Sequence, residues 1–331
     1  MKKQHKKVNG YHFPLLWKGL GRGVLMFFLL FLQSCIEDID LSSAGGGEFK
    51  IVIEGKIENG KVAEVFVMRS SPLNSTKEYS SYFFLYDNAT VSISDGTTTE
   101  KLRPTLTTTP FSYKDQPETA YRFPYLGKLL IGIPGKTYTL TVIAAPNPDK
   151  PSELRTYTAT TTIPMLVKLD SVWWKKQAPY DTLGYAYAHL TDPVGKGNAY
   201  RWYAKRANKW YEKGEKKDRR YLAPLGGVFD DQFIEATSFD LFFARGTDPS
   251  DSLTQEIRTD INTYFKKTDT VYVKFCTIDQ ASFKFYSTYE AAYQSNGNPF
   301  ASPTSIITNI SEGGLGVWAG FGCTYDTIYP K

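Results

Sequence analysis

Residues 137–142 read Thr-Tyr-Thr-Leu-Thr-Val, an alternation that places Tyr138, Leu140 and Val142 on one side. A period of two residues is that of a β-strand, because successive side chains leave a strand on opposite faces. The segment consists mainly of β-branched and aromatic residues, which favour strands. It therefore predicts a half-buried strand, and the surrounding chain repeats the pattern.

Segments of similar character flank this strand at short spacing. Asp95-Gly96 ends one of them and is a strong hairpin signal. Short strands separated by Gly and Pro turns are typical of a β-sandwich. The sequence predicts an N-terminal Ig-like (immunoglobulin-like) β-sandwich over residues 49–164, ending near Ile163-Pro164. Its other predicted strands are residues 49–57, 63–68, 89–94 and 157–162.

Residues 165–331 predict a second β-rich domain with one short α-helix near residues 279–295. Asp279 is the expected N-cap and Asn296-Gly297 the expected end. Aromatic residues recur at helical spacing on one side, which is more typical of a packing face than of a binding face. Residues 210–253 are charged and irregular, so a loop insertion and unrecognised strands both stay open. The helix aromatics are Phe283, Tyr286, Tyr289 and Tyr293, and the strand candidates are 169–174, 185–190, 199–204 and 270–278.

The first 35 residues predict export and lipid attachment. Six basic residues and no acidic one accompany an apolar run at 24–32, which fits a signal-peptide core. The run is far shorter than the roughly 20 residues of a membrane-spanning helix. Residues 32–35, Leu-Gln-Ser-Cys, resemble the lipobox of bacterial lipoproteins, in which the cysteine becomes the acylated N-terminus. We expect a signal peptide over 1–34, followed by acylated Cys35 and a flexible tether over 35–48.

Loss of the signal peptide changes the sign of the net charge. The whole chain has 39 basic and 34 acidic residues, and six of the basic ones lie in residues 1–34, so 33 against 34 remain. A net charge of about −1 gives no support to nucleic-acid binding. Cys35 is followed by Ile-Glu-Asp-Ile-Asp. Acidic residues there resemble the surface-export signal of Bacteroidota lipoproteins, which implies an outer-membrane protein that faces the cell exterior.

Residues that carry catalytic or metal chemistry are few. His189 is the one histidine left after the signal peptide, and a lone histidine on a strand is usually a hydrogen-bonded or surface side chain. Asp230-Asp231, Asp248 and Asp251 suit solvated turns, because adjacent acids on a strand point to opposite faces. The sequence contains no phosphate-loop, nucleophile-elbow or zinc motif. We therefore expect a protein without catalytic residues, metal or cofactor.

Two further features leave alternatives open. In an oxidising compartment, Cys276 and Cys323 either form a disulfide or remain two separate buried thiols. Trp210-Tyr211 lies among charged residues and is the aromatic pair that we expect to be exposed. It is a candidate contact for a ligand or a protein partner. In pairs such as Trp173-Trp174 and Trp202-Tyr203, strand alternation sends one ring into the core.

Several segments along the mature chain resemble one family in the same order. Near the C-terminus these are Asn298-Pro-Phe300, Thr308-Asn-Ile310 and residues 313–318, Gly-Gly-Leu-Gly-Val-Trp. Earlier ones are residues 51–57, 89–96, 135–142, 163–164, 169–172 and 200–203. They resemble an uncharacterised Bacteroidota lipoprotein family, domain of unknown function 4249.

That resemblance implies an outer-membrane lipoprotein with no established activity, from a family whose members are often encoded beside TonB-dependent receptors. We therefore expect a non-enzymatic accessory subunit that is held to the membrane by its lipid and binds a ligand or partner beside a TonB-dependent transporter. A structural or adhesive surface protein is the main alternative. A carboxylate-based hydrolase is a further one.

Overall fold

A computed structural model gives the structure of the chain. It describes residues 48–70, 85, 88–113, 116–206, 218, 220–246, 263–295 and 304–331, with backbone alone over 109–121. The chain is mainly β, as predicted. Residues Gly47–Lys331 form one compact unit. Within the described ranges, no helix has the length and apolar character needed to cross a membrane.

An eight-stranded sheet, here called the shared sheet, joins strands from both halves of the chain. Its order is β14-β13-β17-β18-β1-β2-β8-β5. The last strand pairs in parallel with the first, from Val52↔Leu315 to Glu58↔Phe321. The strands are β1 (Ile51–Glu58), β2 (Val62–Arg69), β5 (Arg103–Pro104), β8 (Tyr125–Ile131), β13 (Ala199–Arg206), β14 (Val228–Asp230), β17 (Val271–Ile278) and β18 (Leu315–Ile328).

Three smaller sheets make up the rest of the β-structure in the described residues. The four-stranded sheet has the order β10-β9-β3-β4, with β3 (Ala89–Ser94), β4 (Thr99–Lys101), β9 (Thr137–Ala144) and β10 (Arg155–Thr162). The three-stranded sheet has the order β11-β12-β15, and β16 also pairs with β12. Its strands are β11 (Ser171–Lys176), β12 (Leu183–Thr191), β15 (Ser238–Phe243) and β16 (Phe265–Lys266). Strands β6 (Thr107–Tyr113) and β7 (Gln116–Arg122) form a separate hairpin.

Three apolar clusters of the described residues lie against the shared sheet: the first core, the second core, and a smaller cluster of β13, β17 and β18 residues beneath the helix. The first fills the space between β1, β2 and the four-stranded sheet and contains Ile53, Val65 and Leu140. Trp318, from the last strand, is fully buried in this core and donates its indole N–H to the Tyr138 carbonyl at 3.0 Å. The second core lies between β13, β17 and the three-stranded sheet. The chain after the boundary predicted at residue 164 contributes Ile310 and Trp318 to the first core, and both cores pack on one sheet.

Helix α1 (Gln280–Ser295) begins where the sequence predicts. The Ser282 N–H donates to the Asp279 carboxylate at 2.8 Å, which is an N-cap interaction. The predicted aromatic stripe is only half correct. Phe283 and Tyr286 pack against the apolar cluster on the shared sheet, whereas the other two aromatics of the stripe are exposed. Glu290 is a buried residue of the helix, and its carboxylate accepts the N–H of Gly226 at 2.8 Å.

Cys276 and Cys323 form a disulfide beneath this helix. They are directly opposite on β17 and β18, with their Cα atoms 4.0 Å apart. Of the two alternatives left by the sequence, the structure has the disulfide. The irregular region 210–253 contains β14 and β15, so unrecognised strands account for part of it.

Candidate functional site

The three-stranded sheet turns an aromatic face to solvent. In β12, Ala186, Ala188 and Leu190 are buried in the second core, so the alternate residues point outward. Those outward residues include Tyr185 and Tyr187, which the sequence places on the same strand face as the histidine. We call the outward rings the aromatic face: Trp173, Tyr180, Tyr185, Tyr187, Phe242 and Tyr264.

Three of these rings form a row across the strands. Trp173 is paired directly with Tyr187, and Tyr187 with Phe242. The ring centroids are 5.6 Å apart in both pairs, with interplanar angles of 23° and 29°. Cross-strand aromatic pairs of this geometry stabilise a sheet and also fix the orientation of each ring. Phe242 remains 59% exposed although it is in contact with its neighbours.

A second set of rings extends the row along the strands. Tyr185 lies 5.7 Å from Phe242 and 4.9 Å from Tyr264, measured between ring centroids. Tyr180 lies 5.7 Å from Tyr264. Exposed aromatic clusters of this kind are uncommon on soluble proteins and mark interaction sites, because Trp and Tyr contribute most to binding energy at interfaces.

Polar groups border the aromatic face on one side. His189 Nδ1 lies 2.7 Å from the Asp240 carboxylate, and both residues point outward. Ser171 is paired opposite His189 on the next strand. A serine, a histidine and an aspartate thus share one row, but among the described hydrogen bonds none joins Ser171 to His189. The row supplies hydrogen-bonding groups beside the rings.

Two other tryptophans of the aromatic pairs in the sequence, Trp174 and Trp202, point into the second core. Trp174 points inward and donates its indole N–H to the Phe265 carbonyl at 3.1 Å. Trp202 is fully buried and stacks on Phe243 with centroids 4.5 Å apart. The expectation that alternation sends one ring of each pair inward is therefore confirmed at residues 173 and 174. The sequence did not single out Phe242 of β15 or Tyr264, which directly precedes β16, since neither strand was recognised.

A charged cluster that the sequence did not predict lies on the face of the shared sheet that points away from the first and second cores. The Glu58 carboxylate lies 2.5 Å from Lys274 Nζ and 2.7 Å from Lys61 Nζ, and it also accepts the hydroxyl of Tyr325. Burial raises the pKa of Glu58, but Lys274 and its other partners outweigh burial and lower the pKa below its ordinary value. Burial lowers the pKa of Lys274, against the opposing effect of Glu58.

Several predicted site residues lie outside the described ranges. These are Cys35, Trp210, Tyr211, Asp248 and Asp251. Arg206 and Asp218 are the nearest described residues before and after Trp210-Tyr211. They form a buried ion pair, in which Arg206 Nη2 lies 3.1 Å from the Asp218 carboxylate.

The remaining predicted carboxylates have different settings. Asp231 is not a solvated turn residue. It is buried, and its carboxylate accepts the N–H groups of Gly197 at 3.1 Å and Asn198 at 2.8 Å. Asp230 belongs to β14. Within the described ranges, no group of three or more His, Cys, Asp or Glu residues is arranged to hold a metal ion.

Comparison with protein families gives one match, over residues 36–324, to the family described as Domain of unknown function (DUF4249). The chain belongs to this family. The DUF4249 match includes the first apolar core, the aromatic face, and all of the shared sheet and second core that lies before residue 325. It ends within β18, whose last residue is Ile328. No curated protein matches the chain.

Proposed function

We propose that this DUF4249 protein is a non-enzymatic lipoprotein of the bacterial outer membrane that faces the cell exterior and binds a ligand or partner through the aromatic face. The lipobox at Cys35 supports the membrane attachment, and the acidic residues after it support outward display. The single observation that carries the binding role is the cluster of six rings on the outer face of the three-stranded sheet, of which Tyr180 and Phe242 are exposed and the other four partly buried.

The partner that we propose is a TonB-dependent transporter. A lipid anchor confines the protein to the membrane that holds such transporters, which raises its effective concentration beside them. Rings that are already fixed by their neighbours lose little conformational freedom on binding, so an ordered aromatic face suits a stable contact. Within the described residues, the row of rings ends at Trp173 on the outer strand β11 and at Phe242 on the outer strand β15.

Detergent-solubilised native purification from producing cells tests this function. We expect a stoichiometric β-barrel receptor to accompany the full-length protein and to be lost with Trp173→Ser or Phe242→Ser. Phe233→Ser is the matched control, because Phe233 is 88% exposed and lies outside the aromatic face.

Other outcomes of this purification would contradict the proposed role or the proposed contact surface. If no receptor accompanies the unaltered protein, a structural or adhesive role takes the place of the proposal. A receptor retained equally by all variants shows that the aromatic face is not the contact.

Treating intact cells with protease tests the proposed orientation. Protection of residues 47–331 from the protease would contradict outward display.

A further inference from the structure

Lysines and tyrosines gather on the side of the shared sheet that faces away from the three-stranded sheet. Val271, Val273 and Ala204 belong to the second core, so Tyr272 and Lys205 point to the opposite side by strand alternation. The cluster also contains residues from the β1–β2 turn, from β18 and from the segment before β14. We call it the basic corner: Lys61, Lys205, Tyr221, Tyr272 and Tyr325.

The rings and ammonium groups of the basic corner contact one another in a continuous chain. Lys205 Nζ lies 4.9 Å from the ring centroid of Tyr221 and 5.8 Å from that of Tyr272. The rings of Tyr221 and Tyr325 are 5.9 Å apart, and Lys61 Nζ lies 5.1 Å from the Tyr325 ring. Cation–π contacts hold each lysine in place, so little side-chain freedom is lost when an anion binds.

Positive charge is in excess at the basic corner. Among the described residues, Lys61, Lys205 and Lys274 lie around one carboxylate, that of Glu58, with which Lys61 and Lys274 form ion pairs. Burial raises the pKa of Tyr325, and the hydrogen bond to Glu58 raises it further, so this phenol stays neutral. Because the mature chain has a net charge of about −1, the excess is a local property of this surface.

Lys205 is the cation that is available to a partner. In the described part of the chain its ammonium group makes cation–π contacts and no ion pair. The neighbouring side chains reach solvent, since Tyr272 is 38% exposed, Tyr325 is 45% exposed and the Lys61 side chain is 56% exposed. The corner therefore offers unneutralised charge beside exposed phenol rings on the face of a sheet.

We propose that the basic corner docks on an anionic lipid surface. Lysine and tyrosine have an apolar body and a polar tip, and they suit the boundary between headgroups and acyl chains. A lipid surface presents many negative charges over an area, which complements several lysines spread across a sheet face. The contact would be distinct from the N-terminal lipid and from the aromatic face, which lies on the three-stranded sheet.

Vesicle co-sedimentation tests the proposal with residues 36–331, which contain the whole compact unit and lack the acylated cysteine. Vesicles of phosphatidylcholine alone are compared with vesicles that also contain phosphatidylglycerol. We expect binding to the anionic vesicles only, weakening with added salt. Lys205→Gln should lower the affinity about fivefold, the equivalent of about 1 kcal/mol per lysine at about 1.4 kcal/mol per tenfold change.

Lys101→Gln is the matched control, since Lys101 is an exposed lysine on β4 in the four-stranded sheet. Circular dichroism of each variant establishes that it is folded. The proposal is overturned by equal binding to both kinds of vesicle, by no binding, or by equal losses in the two variants. Competition by inorganic phosphate would assign the corner to a small anion. A dimer in sedimentation velocity that Lys205→Gln disrupts would assign it to a second copy.

Discussion

The ammonium group of Lys274 lies 2.5 Å from the carboxylate of Glu58, although 216 positions separate the two residues in the chain. Glu58 ends the first strand of the shared sheet, and Lys274 lies in the middle of β17. Both side chains are largely buried, at 5% and 12% exposure. The pair therefore links the N-terminal and C-terminal parts of the sheet in a setting where an unpaired charge is costly.

We expect Lys274→Ala to lower the free energy of unfolding by about 3 kcal/mol, because it leaves a buried carboxylate with less compensation. Guanidinium denaturation measures the change. Lys56→Ala is the control, since Lys56 makes an ion pair of the same 2.5 Å length with Glu64 but is 47% exposed. An exposed pair contributes at most about 1 kcal/mol. Equal losses in the two variants would contradict the role given to burial.

Acid should weaken the fold through Glu58. The pKa of Glu58 is lowered in the folded chain from an ordinary value of 4.5, so the folded state binds fewer protons than the unfolded state. The stability from this group is present above pH 4.5 and is lost as the pH falls through the folded-state pKa. Denaturation over a pH series should show the stability difference between the unaltered protein and Glu58→Gln shrinking below that pH. A constant difference would contradict the assignment.

The N-terminal sandwich should not fold without the last strand. In the whole chain β1 pairs with β18, and Trp318 and Ile310 complete the first core. A fragment of residues 36–164 loses these partners and exposes a strand edge and a cavity. In NMR spectra we expect the amide resonances to be well dispersed for residues 36–331 and poorly dispersed for the fragment. A cooperative thermal transition in the fragment would show that the two parts are separate domains.

Loss of the disulfide should destabilise the protein. Cys276 and Cys323 close a loop with a sequence separation of 47 residues, and chain entropy gives a contribution of about 4 kcal/mol for such a loop. We expect the double substitution Cys276→Ala and Cys323→Ala to lower the free energy of unfolding by about this amount. Added reductant should bring the unaltered protein close to the double variant. No effect of reductant would show that the bond does not form.

Local features of the fold could be read from the sequence because they depend on neighbouring residues. Strand β3 coincides with the predicted residues 89–94, and Asp279 caps the helix as expected. Side-chain alternation also placed His189 on the face of Tyr185 and Tyr187. Helix and strand periodicity record which side of an element is buried, and this requires no knowledge of the partner element.

The aromatic face depended on contacts between distant segments. Tyr264 and Phe242 meet Tyr185 only because β15 and β16 pair with the two ends of β12. Strand β16 has only two residues, and β15 lies in the charged, irregular region 210–253, so neither was recognised from the sequence. The helix stripe was misjudged for a related reason. The tilt of a helix on a sheet decides which of its aromatics are covered, so Tyr289 and Tyr293 are exposed although their spacing matches that of Phe283 and Tyr286.

By itself the sequence determined a mainly β chain, and it predicts a secretion signal with a lipobox at Cys35 and a charge near zero once that signal is removed. These follow from composition, periodicity and short-range motifs. The tertiary structure decided that the first and last strands share a sheet, that Cys276 faces Cys323, and that six rings form one surface. Such facts depend on strand pairing across long loops, because pairing partners are chosen by packing of the whole chain and not by local preference.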